Sequence, residues 1–112
     1  MARLTTHVLD TARGKPAGGV VIDLHQWRGG ARSLLKTLST DADGRAQGQT
    51  VRAGTYELVF HAGDYFRRSG VTLPDPPFLD EVVIRFGIAE ASGHYHVPLL
   101  LAPYGYSTYR GS

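Results

Sequence analysis

Short segments in which apolar and polar residues alternate, separated by turn-forming residues, constrain the fold of this chain most strongly. In residues 82–88, one set of alternate positions is wholly apolar: Val82, Ile84, Phe86 and Ile88. Successive side chains of a β-strand point to opposite faces of the sheet, so this alternation predicts a strand with one buried face. The same pattern recurs around Ile22 and Leu58. The chain is therefore predicted to consist mainly of strands.

The spacing of these segments predicts a sandwich. We place eight strands at residues 4–10, 20–27, 32–40, 49–52, 55–61, 81–88, 94–101 and 104–110. A tight turn is expected at Asp43-Gly44, and one short helix at 64–68 with Asp64 as its N-cap and Gly70 as its stop. Eight short strands without repeated βαβ units favour an all-β, two-sheet β-sandwich that occupies residues 1–112 as one domain.

The charge balance argues against a nucleic-acid partner. Lys and Arg number 12 against 10 Asp and Glu, a net charge of +2, and only Arg67 and Arg68 are adjacent. Nucleic-acid-binding proteins usually cluster their basic residues along one face. Ten of the basic residues are arginines, whose planar guanidinium matches an oxygen-rich or anionic ligand.

Hydropathy and cysteine content set further expectations. The longest apolar run, 97–102, contains Pro98 and is far shorter than the ~20 residues that cross a bilayer. The N-terminal residues lack an apolar signal core, and the chain has no cysteine. We therefore expect no membrane association, no disulfide and a cytoplasmic location.

The segment His94-Tyr95-His96 carries the first candidate chemistry. In a strand, both imidazoles stand on one face, about 6.6 Å apart along the chain. Two surface or hydrogen-bonded histidines, a metal site completed by His7, and metal-free acid–base catalysis are all compatible with this spacing. No acidic residue lies near His94 in the sequence to orient a metal ligand, which weakens the metal interpretation. We therefore expect no metal and no cofactor.

The last residues are dense in polar aromatic and hydrogen-bonding groups. Residues 104–112 read YGYSTYRGS, whereas frayed termini are usually small, charged and uninformative. Two interpretations remain open from composition alone. The segment either ends a strand as a plain tail or folds inward to line a pocket.

Three segments together resemble the 5-hydroxyisourate hydrolases, the transthyretin-related enzymes of urate breakdown. They are LTTHVLD at 4–10, TDADGR at 40–45 and HYHVPLLLAPYGYSTYRGS at 94–112, so that the resemblance extends over the whole chain. The terminal YRGS is its most specific element, because hormone-carrying transthyretins lack it. The resemblance implies a transthyretin-like sandwich assembled as a homotetramer, a dimer of dimers.

The resemblance also implies a site and a reaction. Its catalytic residues would be His7, Arg45, His96 and Ser112, with Tyr109, Arg110 and Gly111 contributing to substrate binding. His94 is not among them. The implied substrate is 5-hydroxyisourate, a flat purine derivative whose six-membered ring opens by hydrolysis to 2-oxo-4-hydroxy-4-carboxy-5-ureidoimidazoline. We expect His96, oriented by Ser112, to activate water, Arg45 to stabilise the oxyanion and His7 to shuttle a proton.

Several alternatives stay open at this point. His7 and His96 could exchange roles, and Ser112 could act as a nucleophile with His96 as its base. Tyr109 and Arg110 could pack at a subunit interface instead of contacting substrate. A non-enzymatic carrier of a small aromatic molecule and a purely structural β-module are the competing functions, because fold alone does not decide function.

Overall fold

The protein is a two-sheet β-sandwich in a computed structural model that describes residues 1–112. Its elements, in chain order, are β1 (Ala2–Asp10), β2 (Lys15–Pro16), β3 (Val21–Arg28), β4 (Ala31–Ser39), β5 (Gln49–Val51), β6 (Gly54–His61), α1 (Ala62–Arg68), β7 (Glu81–Ile88), β8 (His94–Ala102) and β9 (Gly105–Thr108). Sheet 1 has the order β2-β1-β8-β9, with β5 also paired to β1. Sheet 2 has the order β4-β3-β6-β7. The predicted fold class is confirmed.

Three local predictions need correction. Lys15–Pro16 forms a short strand that the sequence did not reveal, because two residues are too few to show alternation. The last strand ends at Thr108 instead of residue 110. The helix begins at Ala62, directly after β6, so Asp64 lies in its first turn and is not the N-cap.

The core lies between the sheets and is built by the alternating positions. Ile22, Leu58 and Leu99 are at most 1% exposed, and 21 buried residues from both sheets form one apolar cluster. Burial of this kind, at about 25 cal/mol per Å² of apolar surface, is the main force that holds two sheets together. No helix in the structure has the length and apolarity needed to cross a membrane.

A parallel pair in sheet 1 sets the positions that matter for function. Strands β1 and β8 come from opposite ends of the sequence and run side by side, with Thr5 opposite His96 and His7 opposite Pro98. Residues of β1 alternate between buried and partly exposed, so Thr5 and His7 face outward. The outer face of sheet 1 therefore collects polar side chains from both ends of the chain.

Candidate active site

His96 is the centre of the polar group on the outer face of sheet 1. Its side chain is partly buried, and its Nδ1 lies 2.8 Å from the hydroxyl oxygen of Thr5. Burial lowers the pKa of His96 below its ordinary value, and repulsion from Arg45, His94 and His7 lowers it further. His96 is therefore largely neutral near pH 7 and able to accept a proton.

His7 is fixed by a neighbouring loop. Its Nε2–H donates a hydrogen bond to the carbonyl oxygen of Asp43 at 2.8 Å. Since a carbonyl only accepts, the proton of neutral His7 is on Nε2 and its Nδ1 is free. His7 can therefore receive or deliver a proton through Nδ1 alone.

Arg45 is held beside His7 by a tight turn. The carboxylate of Asp41 accepts hydrogen bonds from the backbone N–H groups of Asp43 and Arg45, and Arg45 forms a β-bridge with His7. Gly44 has φ +78°, and a Cβ there would collide with the carbonyl oxygen of Val8. The predicted Asp43-Gly44 turn is present, and only glycine lets it pack so closely against β1.

The end of the chain lies against His96. The backbone N–H of Gly111 donates to the carbonyl oxygen of His96 at 2.8 Å, in register with the pairing of β9 on β8. A Cβ at Gly111 would lie 2.5 Å from Cδ2 of His96, so the absence of a side chain lets the chain pass over the ring. Ser112 follows on the surface, and its hydroxyl makes no hydrogen bond within the chain.

The structure shows that His94 and His96 have different environments, which their spacing in the sequence could not reveal. Their ring centroids are 6.2 Å apart, but His94 is exposed and its Nε2 contacts the same Thr5 hydroxyl at 2.7 Å. Sequence reasoning missed Thr5 altogether. Alternation does place Thr5 on the same face as His7, but only the pairing of β1 with β8 brings it opposite His96.

Tyr109 and Arg110 line a pocket together with Tyr95 and Val97, the inward-facing residues of β8. The guanidinium carbon of Arg110 is 4.2 Å from the centroid of the Tyr95 ring, which faces the sandwich interior. Arg110 also donates to the carbonyl oxygen of His94 at 3.3 Å. Tyr109 is 60% exposed near the free edge of β9. Within the single chain, both residues therefore accompany the sheet edge instead of His96.

The group carries positive or proton-accepting side chains without a neutralising carboxylate. None of His7, Arg45, His94 and His96 forms an ion pair. The structure also contains no cluster of three or more His, Cys, Asp or Glu side chains arranged to hold a metal ion. A planar, oxygen-rich ligand would find hydrogen-bond donors from Arg45 and a neutral base in His96.

Sheet order and the outward-facing site define a transthyretin-like sandwich. This chain is 31% identical to sea bream transthyretin in a structure with thyroxine, with TM-score 0.82 over 96% of this chain and 93% of that one. It belongs to the HIUase/transthyretin family, whose model matches residues 4–111.

The relatives most similar in sequence carry the name of a hydrolase. 5-Hydroxyisourate hydrolase 2 of Rhizobium meliloti is 64% identical over 98% of this chain and 96% of its own length. The structure of 5-hydroxyisourate hydrolase from Klebsiella pneumoniae is 38% identical, with TM-score 0.85 and complete coverage of both chains. This chain also matches part of an (S)-allantoin synthase structure, of which it spans 44%.

Proposed function

We propose that this protein hydrolyses 5-hydroxyisourate to 2-oxo-4-hydroxy-4-carboxy-5-ureidoimidazoline by adding water to a cyclic amide. Relatives named 5-hydroxyisourate hydrolase, 50–64% identical to this chain, support this substrate. The observation that carries the chemistry is a partly buried His96 with a lowered pKa, grouped with His7 and Arg45, none of which forms an ion pair with a carboxylate. The substrate is thus a purine derivative, and its reaction is a hydrolysis.

His96 is assigned as the general base. Its neutral imidazole removes a proton from water while the water oxygen bonds to the lactam carbonyl carbon. Such proton transfer contributes about 10²–10⁴-fold to rate. The C–N bond of the ring then breaks, and the leaving nitrogen receives a proton. His7 is assigned to that delivery: its free Nδ1 takes up the proton that His96 removed from water and releases it to the leaving nitrogen.

Arg45 is assigned to the developing oxyanion. Its guanidinium is always charged and offers N–H donors in a planar fork, which suits the adjacent oxygens of an oxidised purine. Donors placed at such an oxyanion contribute about 10²–10³-fold to rate. The Asp41-based turn holds the Arg45 backbone beside His7, so the donor and the acid act on one bound molecule.

Gly111 and Ser112 are assigned to the wall of the substrate site. The backbone pairing of Gly111 with His96 supports this placement. The sequence suggested that Ser112 orients His96, but the side chain hydrogen-bonded to the His96 ring is that of Thr5. The Ser112 hydroxyl lacks the hydrogen bond to an imidazole that a serine nucleophile requires, so we assign it to substrate contact. Direct contact of Tyr109 and Arg110 with substrate stays a prediction.

The carrier alternative is less well supported. A carrier of the transthyretin type would need an apolar channel and no base, whereas the outer face of sheet 1 presents three imidazoles and a guanidinium. The relatives named as hydrolases are also more similar to this chain, at 38–64% identity, than the transthyretin structure is, at 31%.

We propose a homotetramer assembled as a dimer of dimers. Strands β7 and β9 each pair on one side only and form the free edges of their sheets. Phe78, Tyr104 and Tyr109 are 60–71% exposed, and the centroids of the Phe78 and Tyr104 rings lie 6.0 Å apart. A second copy paired along these edges would cover them. Light scattering should give about four times the 12.2 kDa subunit mass. The cytoplasmic location stays a prediction.

The test of the proposed function is a decay assay. 5-Hydroxyisourate is generated from urate in the cuvette, and its ultraviolet absorbance is followed with and without the protein and with and without a chelator. We expect the protein to accelerate the decay, with an undiminished rate in chelator. Equal decay with and without the protein would overturn the hydrolase assignment, and binding without turnover would favour the carrier.

A further inference from the structure

One hydroxyl group joins both imidazoles of β8. Thr5 Oγ1 lies 2.7 Å from His94 Nε2 and 2.8 Å from His96 Nδ1. The parallel register fixes this arrangement, since Thr5 is directly opposite His96 and its side chain is on the same face. Thr5 is therefore the protein group that hydrogen-bonds the His96 ring.

The direction of these two hydrogen bonds is constrained by proton number. A threonine hydroxyl has one proton and can donate to only one ring nitrogen. The other contact requires a ring N–H that donates to Oγ1. Which nitrogen of a neutral histidine carries the proton is in turn set by the hydrogen bond that the ring makes.

The ring nitrogen of His96 that does not contact Thr5 determines which direction of these hydrogen bonds is compatible with His96 acting as a general base. Nδ1 is occupied by Thr5, so water can give its proton only to Nε2. For Nε2 to accept, the proton of the neutral ring must be on Nδ1. His94 Nε2 is then the nitrogen that accepts the Thr5 proton.

We propose that Thr5 is a positioning residue that holds the proton of neutral His96 on Nδ1, so that Nε2 is the free base. This inference rests on the proposed hydrolysis for its catalytic consequence. His94, which the family resemblance left without a role, supplies the acceptor that fixes the direction of the Thr5 hydroxyl.

The surrounding groups are consistent with such a role for a neutral hydroxyl. The titratable and charged groups that act on His96 are Arg45, His94 and His7, and all of them disfavour its protonation. A carboxylate often orients a catalytic histidine, but none forms an ion pair with this one. After His96 takes up a proton, its Nδ1–H still donates to Thr5, so the ring keeps its orientation throughout the reaction.

The kinetic test compares three threonine variants. Thr5→Val keeps the shape and removes the hydroxyl, whereas Thr5→Ser keeps the hydroxyl. We expect Thr5→Val to lower kcat by at least about tenfold with KM within about twofold, and Thr5→Ser to stay within about threefold of wild type. Thr37→Val is the matched control, since it removes a strand hydroxyl bound to Asp23 on sheet 2 at 2.7 Å.

The outcomes of these kinetic measurements distinguish a positioning role of Thr5 from a purely structural one. An unchanged kcat in Thr5→Val, or an equal loss in Thr5→Ser and Thr5→Val, would overturn the positioning role. A comparable loss in Thr37→Val would mean that strand hydroxyls matter only for stability, and it would overturn the role as well.

A spectroscopic test does not depend on turnover or on the valine variant folding. In wild-type protein with ¹⁵N-labelled histidine, long-range ¹⁵N–¹H spectra should show neutral His96 protonated on Nδ1. A proton on Nε2 would overturn the proposal. A chain that fails to hydrolyse 5-hydroxyisourate while His96 carries its proton on Nδ1 would instead place the failure in the proposed function.

Discussion

The two outer faces of the sandwich both carry histidines and arginines, but carboxylates pair with such residues only on sheet 2. On sheet 2, the buried Glu57 carboxylate binds Arg85 Nε at 2.8 Å and Arg32 Nε at 3.2 Å. His61 Nε2 similarly lies 2.8 Å from Asp23 Oδ2. On sheet 1, neither Arg45 nor His96 has a carboxylate partner.

This difference distinguishes charged side chains that stabilise the fold from side chains that can act on a substrate. The ion pairs of sheet 2 satisfy the Glu57 and Asp23 carboxylates within the fold, and breaking a buried pair leaves a charge without a partner. The imidazoles of His96 and His7 on sheet 1 are hydrogen-bonded to neutral groups, the Thr5 hydroxyl and the Asp43 carbonyl. They remain available to an oxygen-rich substrate, and the predictions below test that contrast.

The largest expected effect is at the base. His96→Asn should lower kcat for ring opening by about 10²–10⁴-fold, because the amide cannot accept a proton from water. The stopped-flow decay of freshly generated 5-hydroxyisourate measures it, with circular dichroism as the check on folding. Wild-type turnover in this variant would remove His96 from the mechanism.

A smaller loss is expected at Arg45. Arg45→Lys keeps the charge but loses the planar fork, so kcat/KM should fall by at least about tenfold. The same assay measures it. Arg32→Lys on sheet 2 is the matched control and should stay within about twofold of wild type. Near-normal turnover of Arg45→Lys would make Arg45 an ordinary surface charge.

Gly111→Ala should have a moderate effect. The added Cβ would be placed 2.5 Å from Cδ2 of His96, so either the ring or the end of the chain must move. We expect kcat/KM to fall about tenfold, since misplacing a reacting group by about 1 Å costs up to about 100-fold. Gly105→Ala is the control, because a Cβ there meets nothing within 4 Å. Equal rates for both variants would contradict the packing of Gly111 on His96.

The pH dependence should follow His96. Because burial and neighbouring positive charge lower the pKa of His96 below 6.5, the base form dominates at neutral pH. kcat/KM should therefore be flat near pH 7 and fall as the pH drops through that lowered pKa. His94→Asn removes one of the groups that lower the pKa of His96 and should therefore move this limb to higher pH. A limb that stays in place would show that His94 does not influence the pKa of the base.

The smallest effect on activity is expected on sheet 2. His61→Gln should leave turnover within about twofold of wild type and cost at most about 1 kcal/mol of stability at pH 7. Burial alone would raise the pKa of Asp23, but hydrogen bonds from His61 and Thr37 outweigh it and lower the pKa. The stability that the lowered pKa of Asp23 contributes is fully present above the pKa of Asp23 in the unfolded chain. It disappears as the pH falls through the pKa of Asp23 in the folded protein. Urea unfolding at pH 7 and pH 3 should therefore show a smaller acid loss in His61→Gln. A tenfold drop in activity in His61→Gln would contradict the assignment of the catalytic residues to sheet 1 alone.

The strands of the fold could be predicted from the sequence, because the alternation of apolar and polar residues reports directly on burial. Val82–Ile88 reads as a half-buried strand and is one. The start of the helix could not be predicted, since β6 leads into it without a capping side chain.

The candidate active site was harder to predict from the sequence, because its geometry depends on which strands pair. His94 and His96 are equivalent by spacing, and only the pairing of β1 with β8 gives one of them burial and a place near His7. His7 and Arg45 were chosen by family resemblance, not by any local pattern. Thr5 could not be chosen at all, because its partners are about 90 residues away in the chain.

The central claim is that the outer face of sheet 1, and not that of sheet 2, receives the substrate. The five histidines report on both faces, since His7, His94 and His96 lie on sheet 1 and His25 and His61 on sheet 2. Titrating ¹⁵N-histidine-labelled protein with urate, a stable purine related to the substrate, tests it most directly. The account predicts saturable shifts of the His7 and His96 signals with His25 and His61 unmoved; shifts confined to His25 and His61 would contradict it.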